Sequence, residues 1–251
     1  MERPMSDAAA TVMQMQDAPS DLARLVATAK ERIEAGDVDG GLQAFREIAE
    51  NHPETPEVFN NLGAICAAMG RAEEAESAFG RAAELTPSAA NPWYNRGLMR
   101  FQGGNYLGAL EDFERAGALD PADPEFLNNQ GVVHFQLQDF DRARDAFARA
   151  AELRPDYVAA LLNLVDVDLA QGQTDRAYDR CHEVAAQTDD PDVQSKLIEC
   201  SISRAVQAID RAQADCEQAQ QTHPGTPGTA EQAGRLLRAK QILLDETTTT
   251  V

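Results

Sequence analysis

The stretch Asn91–Pro121, NPWYNRGLMRFQGGNYLGALEDFERAGALDP, decides the fold, because the segments on both sides repeat its pattern at an interval of 34 residues. From Leu22 onward the chain can be written as five consecutive frames of this length without an insertion, and the position of a residue within its frame is called its place. The frames begin at Leu22, Pro56, Ala90, Pro124 and Val158. Such a period predicts a stack of similar units that share one elongated core.

Small and large residues recur at fixed places in these frames. Small residues stand where two helices would cross closely, and large residues stand where they can fill the space beside the crossing. Place eight holds Ala29, Gly63, Gly97, Gly131 and Val165, and place twenty-four holds Phe45, Phe79, Phe113, Phe147 and Cys181. The pattern predicts that each frame is a pair of closely packed helices.

Each frame is divided by a break and closed by a proline. The breaks are Gly36, Gly70, Gly103-Gly104, Gln138-Asp139 and Gly172. The prolines are Pro53, Pro87, Pro121 and Pro155, and Pro191 closes the fifth frame two residues late. Proline stops a helix, and glycine interrupts one. Two short amphipathic helices cannot bury their apolar faces alone, so the pairs must stack. We therefore expect an all-α solenoid of five repeats over residues 20–191.

These places resemble the tetratricopeptide repeat, which has small residues at places eight, twenty and twenty-seven, an aromatic residue at place twenty-four and proline at place thirty-two. The match is strong from Leu22 to Pro155 and weakens in the fifth frame. The resemblance implies a right-handed superhelix of helix-turn-helix pairs. Its concave groove would be lined by the first helix of each pair and would hold a segment of another protein.

The segments outside the frames differ in character. Residues 1–19 lack helical periodicity and are predicted to be disordered. Apolar residues at helical spacing predict a capping helix over 192–222, followed by a linker over 223–229. Residues 230–246 are predicted to form a C-terminal helix, and 247–251 a disordered tail. The C-terminal helix either folds back on the capping helix or docks on a partner, and folding back is favoured because an exposed apolar stripe is a liability.

Asparagines follow the groove that the resemblance implies. Place six holds Asn61, Asn95, Asn129 and Asn163, and place five adds Asn60 and Asn128. An amide offers both a donor and an acceptor, so a row of amides can pair with the backbone of an extended peptide. The row resembles the asparagine ladder of the superhelical repeats in protein O-linked N-acetylglucosamine transferases. The alternative is that asparagine is simply the commonest residue of the family at place six.

Apolar and acidic residues also fall on the groove places. The apolar ones include Tyr94, Leu98, Phe101 and Phe135. Aromatic residues at helical spacing more often belong to a core than to a ligand site, which is the alternative here. The groove acids are Glu34, Glu57, Glu125 and Asp166. They favour a neutral or basic peptide and argue against a clamp for carboxylates.

Polar residues occupy places seven and eleven, which normally pack in the family. They are Arg96, Arg100, Gln130 and His134. The structural interpretation pairs the arginines with acids such as Glu111 or Glu114. The alternative is a pocket formed by Arg96, Arg100 and His134 for an acidic group of a ligand.

Place eleven also combines nucleophile, base and orienting residue types, since it holds Cys66, His134 and Asp168. Stacked helices lie roughly 10 Å apart, which separates Cys66 from His134 by about 20 Å, whereas proton transfer needs about 3 Å. We therefore expect no catalytic site, no cofactor and no metal site.

Composition narrows the class of partner and the compartment. A net charge of −20 disfavours nucleic acid and anionic membranes. The 42 acidic residues face 22 basic ones, mostly arginine, which fits either a salt-adapted cytosol or a GC-rich genome. The four cysteines lack disulfide or zinc spacing. With no secretory signal and no apolar run of membrane-spanning length, the protein is expected in the cytoplasm, without direct membrane insertion.

The sequence therefore predicts a non-catalytic scaffold that binds an extended peptide of a protein partner. Two other functions stay open. One is a structural protein that assembles with copies of itself through the ends of the array. The other is a detached regulatory or substrate-recognition subunit of an enzyme such as a glycosyltransferase.

Overall fold

The computed structural model describes residues 21–222 and 228–249, and all regular structure in these ranges is α-helical. Ten short helices come first: α1 Asp21–Glu34, α2 Val38–Asn51, α3 Pro56–Ala68, α4 Ala72–Leu85, α5 Ala90–Gln102, α6 Tyr106–Leu119, α7 Pro124–Gln136, α8 Phe140–Leu153, α9 Val158–Ala170 and α10 Thr174–Ala185. Two longer helices follow, α11 Pro191–Thr222 and α12 Thr229–Thr249. The all-α class is confirmed, whereas the predicted disorder of residues 1–19 lies outside the described residues.

The helices form two compact units, α1–α6 and α7–α12. Within each unit the short helices pack in consecutive pairs, α1 with α2, α3 with α4 and α5 with α6 in the first, and α7 with α8 and α9 with α10 in the second. Each pair corresponds to one frame of the sequence. The predicted helix-turn-helix organisation is therefore present in both units.

A close approach between the helices of a pair explains the glycine at place eight. A Cβ atom at Gly97 would lie 2.7 Å from the ring of Phe113, which is closer than any real Cβ contact. Gly63 and Gly131 approach the phenylalanine rings of their own partner helices equally closely. Phe113 is 1% exposed, so the missing side chain lets the ring fill the centre of the pair.

A left-handed residue at place fifteen reverses the chain between the two helices of each pair. The residues are Gly36, Gly70, Gly104, Gln138 and Gly172. Gln138 takes this conformation, with φ at 61°, without the freedom of glycine. At the next place, Asp37, Asn105 and Asp139 accept hydrogen bonds from backbone N–H groups three residues further on, and so cap the second helices of their pairs.

The long helix α11 covers the last short pair. Its Cys200 is fully buried and packs in one cluster with Val165 of α9 and Cys181 of α10. Cys181 Sγ also contacts the carbonyl oxygen of Val193, which is buried on α11 as well. The first half of α11 therefore takes the place that another helix pair would occupy.

The last helix α12 folds back on α11, as the sequence favoured. Lys240 Nζ lies 2.6 Å from Asp210 Oδ1, which fixes an antiparallel arrangement of the two helices. α12 extends to Thr249 and not to 246, because no glycine or proline follows to end it. Leu237 and Ile242 of α12 remain exposed.

Candidate peptide-binding surface

The predicted asparagines join successive first helices through hydrogen bonds. Asn95 Nδ2 of α5 donates to Asn60 Oδ1 of α3 at 3.2 Å, and Asn163 Nδ2 of α9 donates to Asn128 Oδ1 of α7 at 2.8 Å. In both bonds a place-six amide donates to the place-five amide of the preceding frame. Each bond uses one donor and one acceptor. The partly exposed Asn60, Asn95 and Asn163 keep further hydrogen-bonding groups in a fixed orientation, whereas Asn128 is only 7% exposed.

Asn61 differs from the other asparagines because its Nδ2 is buried without a hydrogen-bond partner among the described residues. Place five of the preceding frame, which supplies Asn60 and Asn128 in the two bonded pairs, is Val26 here. Valine cannot accept the bond. A buried amide without a partner costs free energy of about 1–3 kcal/mol.

The three predicted groove aromatics each pack against a ring of the second helix of their own pair. The ring centroids of Tyr94 and Phe113 lie 5.7 Å apart. Those of Phe101 and Tyr106 lie 5.4 Å apart, and those of Phe135 and Phe140 5.5 Å apart. The groove rings are therefore half buried and held in place, and Leu98 is half buried beside them. One side of each ring packs, as the core interpretation expects, and the ligand interpretation stays a prediction.

The acids of the predicted groove do not all stay available. Asp166 Oδ1 accepts a hydrogen bond from Lys196 of α11 at 2.8 Å. Burial alone would lower the pKa of Lys196, but its hydrogen bonds to Asp166 and Glu199 outweigh burial and raise it. Glu34, Glu57 and Glu125 remain exposed, although Glu125 lies 3.9 Å from Arg154. The acidic charge that would attract a basic peptide is therefore weaker in the second unit.

Arg96 and Arg100 pair with acids, but not with the acids that were predicted. Both guanidinium groups bind Asp112, at 2.6 Å and 3.0 Å, and the Asp112 side chain is only 3% exposed. Arg100 also reaches Glu76 of α4 at 2.8 Å. Glu111 and Glu114 are exposed, because helical spacing turns them away from α5. The hydrogen bonds to Asp112 hold the pKa of Arg96 above its ordinary value.

An open cleft of about 520 Å³ adjoins these two arginines. Its lining includes Glu73, Glu76 and Glu84, which would repel an acidic ligand group. His134, the third residue of the predicted pocket, lies half buried on α7 in the other unit. This geometry favours the structural interpretation of the arginines.

A second ion cluster surrounds Asp168 of α9, which is completely buried. Arg144 and Arg180 bind its two carboxylate oxygens at 2.5 Å and 3.0 Å, and Arg176 lies 3.6 Å away. Place eleven thus contributes Asp168 to an ion cluster, while Cys66 at the same place lies in an apolar core cluster with Leu42.

The two clusters are charge-inverted copies of each other. The equivalent places are twenty-one of one frame and eleven and twenty-three of the next frame. In that order they hold Glu76, Arg100 and Asp112 in the first unit, and Arg144, Asp168 and Arg180 in the second. The sequence analysis missed this pattern because it compared columns one at a time. Reading the three places together would have shown complementary charges.

The structure at residues 21–222 and 228–249 contains neither a group of metal-ligand side chains nor a membrane-spanning helix. No three histidine, cysteine, aspartate or glutamate side chains in these ranges are grouped so that they could hold a metal ion. None of the helices described has the length and apolar composition required to cross a bilayer.

The helix pairs and their place-specific residues define a tetratricopeptide repeat protein, and the chain belongs to this family. Sequence profiles of the tetratricopeptide repeat match residues 26–92, 97–138 and 134–197. No curated protein matches the chain significantly.

Several solved structures share the fold. A tetratricopeptide repeat protein from Parabacteroides merdae is 18% identical and matches with a TM-score of 0.68 over 90% of each chain. MamA from Desulfovibrio magneticus is 20% identical, with a TM-score of 0.62 over 69% of this chain and 100% of its own. YrrB, described as having an unusual peptide-binding site, is 16% identical, with a TM-score of 0.60 over 74% of this chain and 95% of its own. At these identities the likeness concerns the fold.

Proposed function

We propose that the protein is a non-catalytic scaffold that binds an extended peptide of a partner protein along its first helices. The observation that carries this proposal is the pairing of Asn60 with Asn95 and of Asn128 with Asn163. Each bond fixes two amides side by side on neighbouring helices. Oriented amides bind a peptide backbone at a lower entropic cost than free ones, because their rotamers are already fixed.

The aromatic residues beside the amides support the same function. Tyr94, Phe101 and Phe135 are each anchored by a second ring and expose part of their surface. A peptide that bonds to the amides through its backbone can place apolar side chains against these rings. Exposed Glu57 of α3 favours a neutral or basic segment in the first unit.

Two of the place-eleven residues with catalytic side-chain types have structural contacts. Cys66 is 1% exposed in an apolar cluster, and Asp168 is bound by arginines. Burial raises the pKa of the Cys66 thiol, which opposes a role as nucleophile. These contacts support the non-catalytic part of the proposal.

The state of the cysteines supports a cytoplasmic location within this proposal. Cys66, Cys181, Cys200 and Cys216 are all free thiols. Free thiols suit a reducing compartment, where disulfides are rare.

The proposal is tested with a random peptide library displayed on phage. Peptides selected by the wild type are synthesised, and their dissociation constants are measured by fluorescence anisotropy. Asn95→Ala should weaken peptides of unrelated sequence by about tenfold, because it removes a backbone contact. The matched control is Asn51→Ala, since Asn51 is exposed on α2 and bonds only to the backbone of its own helix. Equal affinities of the two variants would reject the amide row as the site.

A further inference from the structure

Two free thiols meet where the long helix α11 packs on the last short helix pair. Cys181 of α10 and Cys200 of α11 are completely buried and share one apolar cluster with Val165 and Ala177. Cysteine side chains are short. Two of them fill the space between two helices only where the backbones approach closely, because protein interiors are close-packed.

Contacts between other residues fix the register of α11 against α10. Thr174 Oγ1, at the start of α10, lies 2.6 Å from Gln207 Oε1 of α11. One turn further along α10, the ring of Tyr178 lies with its centroid 3.5 Å from the guanidinium carbon of Arg204. Residue numbers rise along α10 while those of the contact partners fall along α11. The two helices are therefore antiparallel over this contact.

This register places the two thiols opposite each other. Cys181 follows Thr174 by seven residues, and Cys200 precedes Gln207 by seven residues. Seven residues make about two helical turns, so each cysteine lies on the same face of its helix as its reference residue. A side-chain hydrogen bond between the two thiols agrees with this register.

The thiol pair lies inside the contact that holds α11, and not at its edge. Cys181 Sγ lies 3.7 Å from the carbonyl oxygen of Val193, in the first turn of α11. At the other end, Gln207 Nε2 donates a hydrogen bond to the carbonyl oxygen of Gly172 at 3.1 Å. A covalent bond between the thiols would therefore hold the docked part of α11 near its centre.

Burial keeps the two thiols protonated while α11 is docked. It raises the pKa of Cys181, and raises that of Cys200 to about 12. The thiolate is the reactive form of cysteine, so both side chains are inert in the packed state. Local opening of α11 brings them into water, where their pKa values return towards the ordinary range. Reaction of the pair therefore requires α11 to open.

We propose that Cys181 and Cys200 are a reversible disulfide site that locks α11 onto α10 after α11 has opened and closed again. The oxidant is a low-molecular-weight disulfide. The bond joins two helices of the same molecule, and its loop encloses the connection between α10 and α11. The site acts independently of the proposed peptide-binding surface.

The reaction proceeds by two thiol–disulfide exchanges. The thiolate of one cysteine attacks a sulfur of the small disulfide, which forms a mixed disulfide and releases one small thiolate. The thiolate of the other cysteine then attacks the mixed disulfide at the protein sulfur and releases the second small thiolate. Two electrons pass from the cysteine pair to the small disulfide, and the two thiol protons end on the two small thiols.

Peptide mapping of the full-length protein tests the pairing. The protein is refolded from urea with oxidised and reduced glutathione, so that native packing selects the partners. Trypsin cleaves after Arg180, Lys196 and Arg204, which places the two cysteines on peptides 181–196 and 197–204. Mass spectrometry without reduction should find these peptides joined, and dithiothreitol should separate them. No joined peptide, or a disulfide from either cysteine to Cys66 or Cys216, overturns the proposal.

A shifted cysteine is the matched control. Cys200→Ala combined with Ser201→Cys keeps the number of thiols and moves one of them by about 100° around α11. This variant should form the bond to Cys181 at least tenfold more slowly than the wild type, because the new thiol faces away. Circular dichroism checks that the variant keeps its helical content. Equal rates would show that the register does not select the pair, and would overturn the proposal.

Hydrogen exchange tests the lock itself. In the oxidised protein the amides of residues 194–207 should exchange about tenfold more slowly than in the reduced protein, because the disulfide restrains the opening of α11. Dithiothreitol should restore the original rates. Exchange that is equal or faster in the oxidised protein overturns the lock.

Discussion

Arg100 and Asp168 occupy the same place in their helix pairs with opposite charges, and each is held by opposite charges at the same two other places. These three places accept either arrangement of charges, provided that the charge at place eleven is opposite to the charges at places twenty-one and twenty-three. Neutralising one of the charged side chains leaves a buried charge without a partner. This loss costs more free energy than the intact ion pair contributes to stability.

Asp168→Asn should lower the free energy of unfolding by about 3–5 kcal/mol, because three guanidinium groups lose their shared counter-charge while the side chain keeps its shape. Urea unfolding followed by circular dichroism measures the change. The control is Asp21→Asn, which removes an exposed ion pair with Arg24. It should lower the free energy of unfolding by less than about 0.5 kcal/mol. Similar losses in both variants would contradict the importance of burial.

Reversing the charges of Glu76, Arg100 and Asp112 together should cost less stability than reversing the charge of Arg100 alone. Arg100→Asp alone brings three acids together and should destabilise the first unit by about 3 kcal/mol or more. Adding Glu76→Arg, Asp112→Arg and Arg96→Leu should recover at least about half of that loss, because the second unit holds this polarity at the same places and has Leu164 where Arg96 would face the new arginine at position 112. Trp93, the single tryptophan, lies in the first unit and reports its unfolding by fluorescence. A quadruple variant no more stable than Arg100→Asp would refute the equivalence.

Gly97→Ala should destabilise the protein by about 1–3 kcal/mol, because the new methyl group would overlap the ring of Phe113. Gly80→Ala is the matched control. Its nearest neighbour is the flexible side chain of Arg96 at 3.6 Å, so alanine should stabilise α4 by up to about 1 kcal/mol. The two variants should therefore change the free energy of unfolding, measured in urea, in opposite directions. A loss of stability in Gly80→Ala would contradict the packing argument.

Thiol reactivity should separate Cys216 from the other three cysteines. Burial raises the pKa of Cys66 and Cys181, and raises that of Cys200 to about 12, whereas Cys216 is only half buried. Since the thiolate is the reactive form, Ellman's reagent at pH 8 should label one thiol rapidly and the others at the rate of unfolding. After unfolding in urea, all four thiols should react with the reagent. More than one rapid equivalent in the native protein would contradict this burial pattern.

The fold could be predicted because its determinants repeat. Gly97 and Phe113 have counterparts one frame earlier and one frame later, so the columns show which side chains meet. The ion clusters could not be predicted in this way, because Arg100 and Asp168 are two frames apart and His134 stands between them in sequence. Their partners stand at other places of the frame, so the complementary charges appear only when places eleven, twenty-one and twenty-three are compared together.

The candidate surface was predictable in its residues but not in their contacts. The sequence identified Asn60 and Asn95 as amides of neighbouring first helices without indicating that they bond to each other. It likewise placed Tyr94 towards a ligand without its contact to Phe113. The register of one first helix against the next depends on the packing of whole pairs, which no single column records.

The return of α12 along α11 determines where an attached tag or fused domain would lie. α11 has 32 residues and α12 has 21, so α12 retraces about two thirds of α11. A fluorophore or an affinity label joined to the C-terminus would therefore be carried back towards the last short helix pair, and not be held at the far tip of α11. For energy-transfer measurements, a dye attached at Thr249 would therefore report distances from the middle of α11 and not from its tip.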